Sequence, residues 1–365
     1  MQQVIQPPPV VPLDAGCAQA QQWLQAGQAA QAWALLQQLA QAHPQQAVVP
    51  RLQGAVLSAT GQHAQALAFY RAALALAPHD AQALAAAGSC LHLSGQLPQA
   101  VQYYRAALVW QCCAPLRAAT PPPPPAFDSA AAEQRLWQVL AQLASAGIRA
   151  FATSGTLLGL VREGRLLPFD KDLDIGLPFD QMQAATALLL QNGWQRTGAP
   201  QGMVNPVMLH DGQGLSMDLC GFIAEQGSGA ALGGFWLQGV PADWQRVTQY
   251  PVLHLHQQHR PEGAVWTVTH PETWLATLYG PDWRTPDPDF DTVIAAHNLR
   301  GFSVLTQCYA FSRIYDAWLK GRLPKAAALV RHSLRHLPED ALLLQVQQHL
   351  ATQQARFAVA AEDAQ

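Results

Sequence analysis

The chain has 365 residues, half of them hydrophobic and 12% charged, with a net charge of -3. That length points to two or more domains with ample apolar surface for their cores, and the weak charge gives no reason to expect a nucleic-acid partner. No apolar run approaches the roughly 20 residues that cross a bilayer, the six cysteines form no CxxC pair, and the start MQQVIQPPPVVP lacks a basic n-region; the reading is a cytoplasmic protein with reduced thiols, which leaves open a peripheral contact with the inner face of the membrane.

Residues 1–13 are Pro- and Gln-rich and read as disordered. From 14 to 118 the sequence repeats itself. Gly27, Gly61 and Gly95 stand 34 residues apart, as do Ala32, Ala66 and Ala100, and Leu36, Tyr70 and Tyr104 fall in the same register. Pro44 with Pro78, and Gly54 with Gly88, keep that interval, while Ala20 stands where the later units have Gly. The pattern resembles the tetratricopeptide repeat, in three units near 11–44, 45–78 and 79–112. Small residues let paired helices approach, aromatics fill the gap between units, and Pro closes the second helix because it cannot continue one. Such an all-α solenoid is expected to bind a protein partner on its concave face.

Residues 119–127 hold five consecutive prolines, a stiff spacer and a domain boundary. A helix is predicted over Ser129 to Ala146, with Ser129 as N-cap and Gly147 just past the end. Ile148 to Ala152 reads as a short strand. The central stretch follows, TSGTLLGLVREGRLLPFDKDLDIGL, from Thr153 to Leu177. It opens on a small-residue turn, Ser154-Gly155-Thr156, and ends on three carboxylates, Asp170, Asp172 and Asp174. Residues two apart in a strand share a face, so Asp172 and Asp174 project together with Leu173 and Ile175 in the core behind them. Paired carboxylates repel unless a cation sits between them. The pattern reads as a divalent-metal site facing a turn suited to phosphate.

Asp180 to Asn192 reads as a helix ending at Gly193, and Trp194 to about Gln238 as strands joined by Gly-rich loops. The alternation in LSMDLC places Asp218 among apolar neighbours. Pro271 onward reads as a short helix stopping at Gly280. In 301–355, Gly321, Ala326 and Pro338 repeat the offsets of Gly27, Ala32 and Pro44, which predicts one more helix pair and a capping helix before a polar tail, 356–365.

The stretch GTLLGLVREGRLLPFDKDLDIGL resembles the signature of the LicD/fukutin family of the nucleotidyltransferase superfamily. Gly155, Thr156, Leu157, Leu158, Gly159, Arg162, Pro168, Asp170, Asp172 and Asp174 match it; Phe169 replaces Trp, and Lys171 replaces an Asp, so no ligand role carries over to that position. The later segment YGPDWRTPD is similar to the family's distal element, and the resemblance covers about residues 128–300. It implies an α+β nucleotidyltransferase-like domain, a mixed sheet with helices, between the repeats and the helical C-terminal extension. It implies a Mg²⁺ or Mn²⁺ site at Asp172 and Asp174, with Asp218 the candidate third carboxylate. It further implies transfer of a phosphoryl-linked group, of the phosphocholine or polyol-phosphate kind, from a CDP-linked donor to a cell-surface glycan or lipid-linked glycan acceptor. On that reading Gly155 and Thr156 cradle phosphate at a helix start, Arg162 clamps an oxygen, and Asp170 or Asp218 accepts the acceptor's proton.

Residue types alone leave alternatives open. Asp172 and Asp174 also suit an exposed strand end, Asp170 a turn cap, Asp218 an edge strand, and Arg162 a pair with Glu163. His254, His256 and His259 have no cysteine or carboxylate at a matching spacing and read as surface. Trp274, Tyr279 and Trp283 read as core before they read as a stacking platform. Two other functions remain in view: transfer of NMP to a small molecule or protein, and a non-catalytic binding protein working through its repeats.

Overall fold

The computed structural model describes residues 12–114, 128–168, 170 and 172–362, with side chains to 355. The start that the sequence reads as disordered (save its last two residues), the proline run, the end of the polar tail with the side chains of the rest of it, and Phe169 and Lys171 lie outside the described residues. The chain divides into two compact units, Met1–Pro115 and Leu116–Gln365.

The first unit is three helix hairpins: α1 (Leu13–Gln25) with α2 (Ala29–Ala42), α3 (Val48–Ala59) with α4 (His63–Leu76), and α5 (Ala81–Leu93) with α6 (Leu97–Gln111). Gly27, Gly61 and Gly95 turn the three hairpins at φ +74°, +77° and +74°, the left-handed region that glycine enters without steric cost. Ala32, Ala66 and Ala100 have no exposed surface. The aromatic positions work through a partner within their own repeat. A Cβ on Gly54 would lie 2.8 Å from the Tyr70 ring, and one on Gly88 would lie 3.0 Å from the Tyr104 ring. In the first repeat the pair becomes Ala20 and Leu36, both buried in one cluster. A methyl group gained on one helix is matched by an aromatic ring lost on the other.

The second unit opens with α7 (Ser129–Ser145), capped by Asp128, whose carboxylate accepts from the Ala130 and Ala131 N–H groups. The cap expected at Ser129 thus falls one residue earlier, where a carboxylate suits the positive helix end. Next come β1 (Phe151–Ala152), α8 (Ser154–Arg162), β2 (Asp172–Pro178), and α9 (Met182–Gln191) after a single 3-10 turn at Phe179–Gln181. Only the last two residues of the expected 148–152 strand pair with a neighbour. Then follow β3 (Gln195–Arg196), β4 (Met203–Asn205), β5 (Val207–His210), β6 (Ser216–Ala224), β7 (Ala230–Leu237), β8 (Arg246–Val252), β9 (Leu255–Arg260), β10 (Gly263–Val268) and α10 (Pro271–Tyr279).

The main sheet runs β1-β2-β6-β5-β3, with β7 joining the far end of β6 and pairing β4 and β8; β9 and β10 form a separate hairpin. Among the described strands β2 and β6 are the one parallel pair. Leu173, Ile175 and Leu177 of β2, and Met217 and Leu219 of β6, are fully buried in one core with α7 and α9. Each such side chain contributes about 1.5–3 kcal/mol, so strand register is strongly specified. Alternation then sends Asp172, Asp174 and Asp218 to the other face. There a second core holds Phe151, Phe222, Tyr250 and Trp274 with residues of α8 and α10.

The unit closes with α11 (Val304–Leu319), α12 (Leu323–His336) and α13 (Ala341–Glu362). Gly321 and the buried Ala326 reproduce the repeat hairpin. Asp340 accepts from the Leu343 N–H at 3.0 Å, as Asp80 does from Gln82 and Ala83 before α5. This addition is pinned to the sheet domain by charge. Arg313 of α11 donates to both oxygens of Asp291 at 2.7 Å. Arg246 of β8, itself buried, donates to the Val293 and Thr292 carbonyls at 2.8 and 2.6 Å. Among the described residues no helix is long and apolar enough to cross a membrane.

Candidate active site

The central stretch holds α8 and then β2, and hydrogen bonds tie the turn that opens α8 to β2. The Thr153 N–H donates to the Asp174 carbonyl at 3.1 Å. The Asp174 N–H donates to Thr156 Oγ1 at 2.8 Å. The Gly155 N–H donates to Asp174 Oδ2 at 3.0 Å. Asp174 is therefore held at both backbone and carboxylate, and the helix start that suits an anion already receives one. Ser154 pays for the turn with φ +43°, a region that costs a non-glycine residue about 1–3 kcal/mol. Trp274 Nε1 lies 3.4 Å from Thr153 Oγ1 and braces the turn from α10.

The carboxylates converge here. In the parallel register Asp174 stands opposite Asp218, and Asp172 opposite Ser216. Asp218 also faces Met208 of β5, so β6 is an interior strand and Asp218 is not an edge residue. A Cβ on Gly155 would lie 3.3 Å from Asp174 Oδ2 and 3.4 Å from both Asp170 oxygens. Asp170 and Asp174 thus meet over the one residue without a side chain.

Burial, then the charges of Asp172, Asp218 and Asp170, hold the Asp174 carboxyl well above its ordinary range, against the Gly155 N–H. Burial and Asp172 push Asp218 up to about 7. Such crowding is a deficit of positive charge. Among the described residues no three His, Cys, Asp or Glu side chains already meet at one coordination point. The donors are nonetheless hard carboxylate oxygens on one face of two adjacent strands, the class that Mg²⁺ and Mn²⁺ take.

Arg162, at the end of α8, lies with its Nε 2.8 Å from Glu163 Oε1 and donates from Nη1 to the Trp283 carbonyl at 3.4 Å. Trp274 and Trp283 are buried core residues, at 2% and 5% exposure. His254, His256 and His259 are exposed, at and beside β9.

Residues 147–237 match the family model described as LicD/FKTN/FKRP, nucleotidyltransferase domain. The match takes in the Thr153–Thr156 turn, β2 and β6, and it suggests a transferase. No curated protein matches the chain. Solved structures similar to it are tetratricopeptide proteins that align with the N-terminal helices. The type III secretion translocator chaperone SycD of Yersinia enterocolitica is 20% identical, over 27% of this chain and 71% of its own, at a TM-score of 0.26. The first TPR domain of human RPAP3 is 17% identical over 27% and 77%, at 0.26. The Sgt2 TPR domain of Aspergillus fumigatus is 18% identical over 29% and 72%, at 0.27.

Two further groups surround the LicD-like carboxylates, and sequence reasoning did not single out the first of them. Cys220 follows Asp218 by two positions on the same face; burial and then Asp174, Asp218 and Asp172 raise its thiol well above the ordinary value. The period-2 rule that located Asp218 would have found it. Burial, then Asp174, Tyr250 and Asp170, raise the Tyr279 phenol, while Arg162 opposes them. Tyr279 comes from α10; the sequence marked it in the YGPDWRTPD segment and read it as core, and what the local pattern does not announce is its approach to Asp174 and Asp170.

Proposed function

We propose that the second unit transfers a phosphoryl-linked group, phosphocholine- or polyol-phosphate-like, from a CDP-activated donor to a hydroxyl of a cell-surface glycan or its lipid-linked precursor. The reading is carried by the register that sets Asp174 against Asp218 on neighbouring parallel strands, beside Asp170. Asp172, Asp174 and Asp218 would hold Mg²⁺ or Mn²⁺, which supplies charge neutralisation for the donor's pyrophosphate.

The chain's own groups do the rest. Thr156 Oγ1 and the Gly155 N–H fix Asp174, so the carboxylate needs no reorganisation when donor arrives. Asp170 takes the proton of the attacking hydroxyl at a carboxylate oxygen. A new P–O bond forms to the acceptor while the P–O bond to cytidine monophosphate breaks. Arg162 exchanges Glu163 for a donor oxygen, a bidentate contact suited to guanidinium. The N-terminal repeats serve a protein or peptide partner and take no part in the chemistry.

The test is a panel of CDP-linked alcohols and CTP given to the full chain with Mn²⁺, scored by NMR. Cytidine monophosphate release from a CDP-alcohol is expected. Pyrophosphate release from CTP, with the CDP-alcohols untouched, would instead assign NMP transfer.

A further inference from the structure

A cleft of about 350 Å³ lies between α7, α8 and the β9–β10 hairpin. Its floor and sides are largely apolar, with Leu140, Leu157, Leu160, Val161, Trp266 and Val268 in the lining. Its size is at the lower end for small-molecule sites. At one side lies Arg260 of β9, whose guanidinium stacks over the Trp137 ring at 3.5 Å. Arg260 Nε is buried and has no hydrogen-bond partner among the described residues.

That arrangement is costly as it stands. The side chain is only half-buried, but its Nε–H is cut off from water, and a donor so placed without an acceptor is destabilising. Stacking on Trp137 fixes the plane of the fork and leaves its edge to meet an acceptor. Glu133 is the one carboxylate among the lining residues described, and it is already engaged: Oε1 lies 3.4 Å from Trp137 Nε1, and Oε2 lies 3.3 Å from the Leu166 N–H. No ion pair joins Glu133 to Arg260 among those described.

We infer that this cleft is a binding site for an anionic amphiphile: an oxyacid head on the Arg260 edge and a single apolar chain along the Leu140, Leu160 and Val268 walls. A free anion would satisfy Arg260 but leave the apolar walls wet. A neutral apolar chain would fill the walls but leave Nε–H unpaired. Only a molecule with both parts answers both. Ala152 and Leu157, which line the cleft, bracket the Thr153–Thr156 turn in sequence, so the site adjoins the elements that carry the carboxylates. The inference does not depend on the transfer reaction proposed above, because its test reads binding alone.

Dodecyl phosphate, below its micelle concentration, is titrated into the full chain by calorimetry, beside dodecyl maltoside and inorganic phosphate. Single-site binding of dodecyl phosphate is expected, at least tenfold tighter than either control. Arg260→Gln should weaken it at least tenfold, Arg260→Lys less, and Val161→Trp should block it by filling the cleft. Thermal melts establish that each variant is folded, and if Arg260→Gln is not, the other two decide. Equal affinity for the maltoside, or binding unchanged by Arg260→Gln or Val161→Trp, overturns the site. Inorganic phosphate binding as tightly as the amphiphile would reduce it to a simple anion contact and overturn the proposal as well.

Discussion

Asp174 and Asp218 stand opposite each other across the parallel pair β2 and β6. Two carboxylates so placed in a buried setting destabilise each other until a cation joins them. Asp172→Asn and Asp174→Asn should each abolish cytidine monophosphate release, by at least the order of 10²-fold that a misplaced reactant costs. Neither should unfold the chain, and each metal-free variant should melt slightly above wild type. Mn²⁺ with CDP should raise the wild-type Tm through binding to the native state and leave both variants unmoved. A thermal-shift series beside an activity assay reads all of this, and wild-type turnover in either variant would remove the catalytic assignment.

The Gly54–Tyr70 contact predicts a double-mutant result. Gly54→Ala places a methyl group 2.8 Å from the ring and should cost about 1–3 kcal/mol by overpacking. Tyr70→Leu in the same chain should recover most of that loss, because the first repeat already uses Ala20 with Leu36. Urea melts of the two single variants and the double give the coupling. Additive losses would show that the rings do not set the spacing.

Two groups in the C-terminal part give separate acid limbs. Burial, helped by Arg335 and Arg331, lowers His332 to about 4 from 6.5. The unfolded chain therefore takes up this proton first, and stability present above pH 6.5 is lost as pH falls toward 4. Burial raises Asp291, but Arg313, Lys325 and the Val293 N–H outweigh it and leave the carboxyl below its ordinary 3.8. Its contribution is complete above that value and is lost only at lower pH. His332→Leu should flatten the upper limb. Asp291→Asn should cost about 2 kcal/mol near neutrality, and its gap to wild type should close below about pH 4. Tm against pH for the three proteins separates the limbs.

The division into two compact units predicts that they come apart. A fragment of residues 127–365 should fold alone and keep donor hydrolysis, and residues 1–120 should not bind nucleotide. An insoluble or inactive 127–365 fragment beside a working full chain would count against this.

Much of this was legible because it is periodic. The 34-residue interval revealed the helix hairpins, down to Gly321 and Ala326 in the C-terminal pair. The two-residue interval put Asp172 and Asp174 on one face. What stayed hidden depends on partners distant in sequence. Asp218 read equally well as an edge residue until β5 and β2 closed on either side of β6. Gly159 matched a motif without a reason; a Cβ there would lie 2.8 Å from the Arg165 carbonyl, where the chain folds back over α8. The Gly155 N–H read as a phosphate cradle, and its bond to Asp174 is visible only once β2 is in place. The cleft at Arg260 draws on three parts of the chain, none distinctive alone.

The parallel pairing of β2 with β6 also orders events on the ribosome. Parallel neighbours need a long crossover, and here α9 and three further strands are made before Ser216 begins β6. A nascent chain that has just released β2 presents Asp172 and Asp174 without the strand that completes their surroundings. Because non-local pairing is slow to form, the carboxylate cluster is completed late, and fragments ending before Asp218 should show no Tm response to Mn²⁺ with CDP.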